Sequence, residues 1–156
     1  MRTIKKNSEF DHIVRRLADT PHPATKQAIF PTLRDLLCFA AVLGFETESR
    51  LPIQSQSDTF VDGRVFERDD LSMDLMYLIG LADGRDVDVL REENEDKLAA
   101  VFEEYANGGL RVIGQWLLEH PEDPSGDKAL VAALISKGFL EVGPKPLHDV
   151  AAEVTF

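Results

Sequence analysis

The chain has 156 residues, 44% hydrophobic and 29% charged, which suits one globular domain with a substantial core and is short for two. Its net charge of −11 is the opposite of the basic footprint that a phosphate-binding domain shows, and no apolar run approaches the ~20 residues that span a bilayer. A single cysteine, Cys38, excludes a disulfide framework, and the basic start through Lys6 meets Asn7-Ser8-Glu9 where a signal peptide needs its apolar stretch, so a cytoplasmic protein is expected.

Helical periodicity dominates the chain. Ser8 is placed to cap a first helix reaching about Ala18, with Phe10, Ile13, Val14 and Leu17 on one face. Pro21 and Pro23 end it. Phe30-Pro31-Thr32 opens a second helix with the stripe Leu33, Leu36, Leu37 and Ala40, and Gly44 stands where a left-handed C-terminal cap is wanted. Cys38 falls inside this helix, where a buried, inert thiol is expected. Residues 46–69 lose the helical period, and "TFVDGRVF" (59–66) puts Asp62-Gly63 between two apolar pairs, the signal of a small two-stranded β-hairpin.

Asp69 or Asp70 caps a third helix running to about Ala82. With Leu71, Met73, Leu75, Met76, Tyr77, Leu78, Ile79 and Leu81 it has almost no polar face, which predicts a central place in the packing. A fourth helix carries Leu98, Val101, Phe102, Tyr105, Gly109, Val112, Ile113 and Trp116 at steps of three or four. This stripe passes through Gly108-Gly109 without losing phase, although each glycine costs about 1 kcal/mol against alanine in a helix interior. Retained phase favours one long helix, bent or straight, with Gly109 on the buried stripe and another backbone close against it. The rival is two helices joined by an Asn107-Gly108-Gly109 turn. In the single helix, Gly108→Ala is expected to be mild or stabilising; in the turn it destabilises. Pro121 stops the helix, Ser125 or Asp127 caps a last one closed by Lys137-Gly138, and residues 141–156 read as a tail. The expected fold is thus mostly α: a single domain over 1–140 with about five helices and the small hairpin.

Charge is uneven. Residues 1–50 carry eight Lys/Arg against six Asp/Glu, so the remainder of a chain at −11 carries −13, and 58–104 alone holds fifteen acids and five bases. That region reads as a solvated acidic face, a face for a basic protein partner, or a mimic of DNA charge. Motifs of catalysis and cofactor binding fail one by one. Gly109 and Gly114 have the spacing of a phosphate loop, but Gln115-Trp116 replaces its Lys-Ser/Thr. "DVDVLREENEDK" (86–97) starts like a calcium loop and departs at Leu90, Arg91 and Lys97. The four histidines have no metal spacing, and acid pairs such as Glu92-Glu93 and Glu103-Glu104 fit a solvated helix face. No catalytic residue, cofactor or metal is expected.

Two stretches, "FPTLRDLLCFAAVLGF" (30–45) and "LIGLADGRDVDVLREENEDKLAAVFEEYANGGLRVI" (78–113), resemble the small proteins associated with DNA phosphorothioation (Dnd) systems, closest to the group called DNA phosphorothioation-associated protein four. The resemblance covers roughly residues 2–118; its sharpest signature is "FEEYANGG" (102–109), and 119–156 carries no identifiable part of it. It implies a bacterial or archaeal accessory factor encoded beside machinery that replaces a non-bridging phosphate oxygen with sulfur and restricts unmodified invading DNA. No catalytic residues carry over.

The resulting expectation is a non-enzymatic accessory protein of DNA modification and antiphage defence, acting through contacts with the modification or restriction proteins. Tyr105, Asn107, Gly108 and Gly109 form the candidate packing or partner motif. The alternative is a small helical DNA-binding regulator that sets Arg2, Lys5, Lys6, Arg15 and Arg16 on phosphates, its acidic half facing away. An unrecognised hydrolase is a third, weaker reading. Direct DNA contact and homo-oligomerisation stay open.

Overall fold

The computed structural model describes residues 1–143. A strand β1 (Ile4–Asn7) leads into a helical segment made of a 3₁₀ turn (Ser8–Phe10), α1 (Asp11–Val14) and a π turn (Arg15–Asp19). Then come α2 (Leu33–Glu46), β2 (Ser57–Val61), the short α3 (Gly63–Phe66) and α4 (Asp70–Gly84). Two 3₁₀ turns (Val87–Leu90 and Glu92–Asn94) lead to α5 (Glu95–Glu119), and α6 (Asp127–Ser136) closes the described chain. The mostly helical fold with one small antiparallel sheet is as expected, with α3 the helix not foreseen. Of the expected tail, 141–143 carry no helix or strand and 144–156 lie outside the described residues.

Chemistry at the helix starts explains where they begin. The Thr32 hydroxyl accepts from the Asp35 N–H at 3.1 Å and donates to the Asp35 carboxylate at 2.7 Å, a reciprocal cap on α2. Asp69 accepts from the Ser72 N–H at 3.0 Å and caps α4. Two expected caps are corrected. Ser8 does not cap; its hydroxyl donates to Asp58 at 2.9 Å. Neither Ser125 nor Asp127 caps α6; Asp123 reaches over left-handed Gly126 and accepts from the Ala129 N–H at 2.9 Å. The other end of α6 closes as expected, with Gly138 at φ 76°.

The sheet holds the main surprise. β2 overlaps the expected hairpin only at 59–61, and its partner is β1, in antiparallel register with Lys5 opposite Thr59 and Asn7 opposite Ser57. Asp62-Gly63 makes no hairpin turn. Asp62 instead accepts from the Arg64 N–H at 2.9 Å and starts α3. A Cβ at Gly63 would sit 2.1 Å from the Met1 carbonyl oxygen, so this glycine makes room for the chain entering β1.

α5 settles the Asn-Gly-Gly question. It is one helix of 25 residues, and neither Gly108 nor Gly109 has positive φ. It runs through the centre, touching α2, α4, α6 and β1, with Leu98, Phe102, Ala106, Leu110, Ile113 and Trp116 buried. Where α2 crosses it the two backbones come together. A Cβ on Gly109 would lie 1.8 Å from the Ala40 carbonyl oxygen, and one on Gly44 1.9 Å from the Tyr105 carbonyl oxygen. A Cβ on Gly108 would lie 1.7 Å from the Ser49 carbonyl oxygen. Gly44 is therefore inside α2, which continues to Glu46, and serves close approach rather than capping. Nor is α4 central: Leu71 and Leu78 are 67% and 61% exposed, and only Met76 and Ile79 of its large apolar side chains are buried. A helix apolar nearly all round here covers α5 with one face and shows the other to solvent.

These contacts reverse the expectation for Gly108→Ala. Both Gly108→Ala and Gly109→Ala should destabilise, at or above the roughly 1–3 kcal/mol typical of overpacking, because a rigid carbonyl occupies the space of the new methyl. Gly84, also helical but with nothing within 4 Å of its Cβ position, is the internal control. Gly84→Ala should be neutral or stabilise by up to about 1 kcal/mol. Urea denaturation of the three variants checks this ordering.

Candidate functional site

The segment 102–109 sends its side chains in three directions, because successive residues of a helix step about 100° around its axis. Phe102 enters the core edge-on to Phe66. Glu103 and Asn107, one turn apart, face β1. Glu104 and Tyr105 face the loop after α2 and the end of α4. Gly108 and Gly109 receive the α2 segment and its following loop.

On the β1 side, Glu103 is 4% exposed and accepts two bonds from the Arg2 guanidinium, at 3.0 and 3.1 Å, and a third from the Lys5 N–H at 2.6 Å. Asn107 is fully buried. Its oxygen accepts from the Asn7 N–H at 2.8 Å, while its amide donates to the Lys5 carbonyl at 3.2 Å and the Glu103 carbonyl at 2.8 Å. Asn7 is itself buried and passes the connection on, accepting from the Gln54 N–H at 2.8 Å and donating to the Pro52 carbonyl at 3.2 Å. The outer edge of β1 is thus satisfied by side chains of α5 instead of by a third strand.

On the opposite side, Arg50 bridges Asp83 at 3.2 Å and Glu104, and its guanidinium lies 5.4 Å from the Tyr105 ring centre. Tyr105 donates to Asp83 at 2.6 Å and packs edge-on against Phe45. Burial, with Asp83 adding to it, pushes the Tyr105 hydroxyl above its ordinary pKa. Ser49 donates to the Gly108 carbonyl at 3.2 Å and receives Arg111 at 2.9 Å. Glu103 and Glu104 are therefore held by cations on two different faces, not paired with each other.

The basic N-terminal residues are not brought into one patch. Arg2 is held by Glu103, and Lys6, 8% exposed, is held by Asp11 with Asp58 3.9 Å away. Arg16 donates to the Asp123 carbonyl and, at 2.9 Å, to the Pro124 carbonyl. Lys5 and Arg15 point to solvent. Cys38 is half-buried, donates to Ser72 at 3.4 Å, and burial pushes its thiol pKa up, as suits an inert thiol.

The connector between α4 and α5 is the acidic surface in concentrated form. Residues 83–96 hold seven acids (Asp83, Asp86, Asp88, Glu92, Glu93, Glu95, Asp96) against Arg85 and Arg91. Asp86, Asp88, Glu92, Glu93 and Asp96 are exposed, and among them Val87 is 71% exposed. No group of three metal-ligating side chains occurs among the described residues, and no described helix is long and apolar enough to cross a membrane.

The Glu103–Asn107 clamp escapes a reading that treats charged pairs as surface and Asn-Gly-Gly as a turn signal. The available signal was Asn107 itself, a poor helix former one turn after an acid, at the centre of a stripe that keeps its phase.

Residues 3–142 match the family model described as DNA sulphur modification system-associated protein 4. The match runs through α6, so it extends well past residue 118, where the resemblance was expected to end. No curated protein and no solved structure matches the chain.

Asn107→Ala should cost about 2–4 kcal/mol, because it leaves the Asn7 N–H and the Lys5 carbonyl buried without partners. Amide hydrogen exchange should show Asn7 losing protection before the α2–α5 crossing does.

Proposed function

The chain belongs to the DNA sulphur modification system-associated protein 4 family, and from that premise we propose that it is a non-enzymatic accessory protein of such a system. It acts through contacts with the modification or restriction proteins, in the cytoplasm and in the service of defence against invading DNA. The observation that carries this reading is the acidic connector 83–96. Five exposed carboxylates, Asp88, Glu92 and Glu93 on the two short turns, Asp86 capping the first and Asp96 in the first turn of α5, accompany an exposed Val87, a surface suited to a basic, partly apolar protein segment. The polar groups of the sharpest family-like segment, by contrast, are occupied in holding the fold: Glu103 by Arg2, Asn107 by β1, Tyr105 by Asp83.

The DNA-binding regulator draws less support. Of its five proposed phosphate contacts, Arg2, Lys6 and Arg16 are engaged by internal acceptors, leaving Lys5 and Arg15 free toward solvent beside a net charge of −11.

Tagged protein should co-purify with the sulphur-modification proteins of its host, and replacing Asp86, Asp88, Glu92 and Glu93 by lysine should abolish that capture while leaving the fold intact. Duplex DNA should not shift in a gel at physiological salt. Tight, salt-sensitive DNA binding lost in Lys5→Glu with Arg15→Glu would instead establish the regulator.

A further inference from the structure

The two-stranded sheet has two outer edges, and they differ. In an antiparallel pair, successive residues direct their backbone N–H and C=O alternately toward the partner strand and away from it. Lys5 and Asn7 donate to Glu103 and Asn107, so the β1 edge is closed by α5. Lys6 must then face β2, and the Ser8 N–H does so too, reaching the Gln56 carbonyl at 3.0 Å. Across the sheet Asp58 lies opposite Lys6, so Ser57 and Thr59 turn their N–H and C=O outward. Thr59 is exposed, and among the described residues no loop backbone meets its N–H or C=O. An unpaired edge of this kind is a template for another strand.

The surface beside the edge fits such a strand. A hollow of about 350 Å³, largely apolar, lies between Leu33 at the start of α2, Phe60 and Val61 of β2, and Val65 of α3. A second, of about 310 Å³, is lined by Asp11, Asp19 and Asp58 with Lys6 and Arg15. The two meet at Leu33, Thr59 and Phe60 and form one trough along the edge, apolar at one end and polar at the other. Lys6 is paired with Asp11, which leaves Asp19 and Asp58 facing one unengaged cation, Arg15, a small excess of negative charge.

We propose that the open edge of β2 receives an extended segment of a partner protein, which adds as a third strand. The segment sets apolar side chains against Leu33 and Val65 and basic ones against Asp19 and Asp58. Main-chain pairing with Ser57 and Thr59 supplies affinity, and the two-ended trough supplies selectivity. A second copy of this chain is the poorer occupant: it carries the same −11 charge and would bring its own Asp58 and Asp62 to the edge. This inference rests on the reading that the protein acts through protein contacts, and it names one surface for them.

The test is an NMR titration of the isotope-labelled full chain with a blocked extended peptide that carries valines in one half and lysines in the other, matching the two ends of the trough. The expected result is perturbation of the Ser57 and Thr59 amides and the Leu33 and Val65 methyls. Binding should weaken by about tenfold or more when alternate peptide amides are N-methylated, and likewise when glutamate replaces lysine. Thr59→Pro removes only an outward N–H from an edge strand, so the variant should keep its helical circular dichroism and lose the peptide. The N-methylated peptide makes the same test with the protein unaltered. Absence of these shifts at millimolar peptide, or equal binding by Thr59→Pro, would overturn the proposal. So would a dimer in sedimentation that Thr59→Pro dissolves, since the occupant would then be a second copy. Peptide binding reads the edge and capture reads the accessory role: if Thr59→Pro binds the peptide as wild type does, the edge is refuted whatever is captured, and if wild type captures none of the sulphur-modification proteins, the accessory role itself fails.

Discussion

The contact between α2 and α5, backbone against backbone, is the constraint on which the rest of the structure depends. Gly44, Gly108 and Gly109 each put a bare Cα where a Cβ would fall within 2 Å of a carbonyl oxygen on the facing segment. Approach this close brings the flanking side chains into register: Leu36, Leu37, Ala40 and Leu43 of α2 meet Phe102, Ala106, Leu110 and Ile113 of α5 in one core. The helix propensity given up by two adjacent glycines, about 2 kcal/mol, is offset by the burial this permits. With α5 fixed against α2, its other faces are free to position everything else. One face clamps β1, another carries α4, and its C-terminal part receives α6.

Polar chemistry follows from that placement. A two-stranded sheet is marginal by itself, and here Glu103 and Asn107 supply the hydrogen bonds that a third strand on the β1 side would make. This engages an acid and an amide that would otherwise be open to other partners, and it draws Arg2 inward. The charges left toward solvent are mostly acidic and gather on the connector 83–96, which packs by only its less exposed residues, such as Val89. The contacts we propose are accordingly placed on the surfaces that the buried signature organises, the acidic stretch 83–96 and the open edge of β2.

What was legible in the sequence was local. Thr32 and Asp69 announce helix starts through short-range hydrogen bonds, and the stripe from Leu98 to Trp116 declares one helix because its phase survives the glycines. What was not legible depends on segments distant in the chain. β1 has no alternating apolar pattern, since two of its buried residues are Lys6 and Asn7, so nothing near it marks a strand. Gly63 looks like a turn glycine until the chain entering β1 is placed against it, and Gly44 looks like a cap until Tyr105 arrives. The basic N-terminal residues read as a patch in sequence, whereas Arg2, Lys6 and Arg16 are each taken by acceptors on separate elements.

The central claim is that Gly108 and Gly109 lie within an unbroken helix pressed against α2, and NMR of the unmodified protein tests it most directly. The account predicts helical Cα and carbonyl shifts without interruption from Glu95 to Glu119, together with nuclear Overhauser contacts between the Gly109 α-protons and Ala40. Shifts of a left-handed residue at Gly108, with no Gly109–Ala40 contact, would contradict it and replace the helix by a turn.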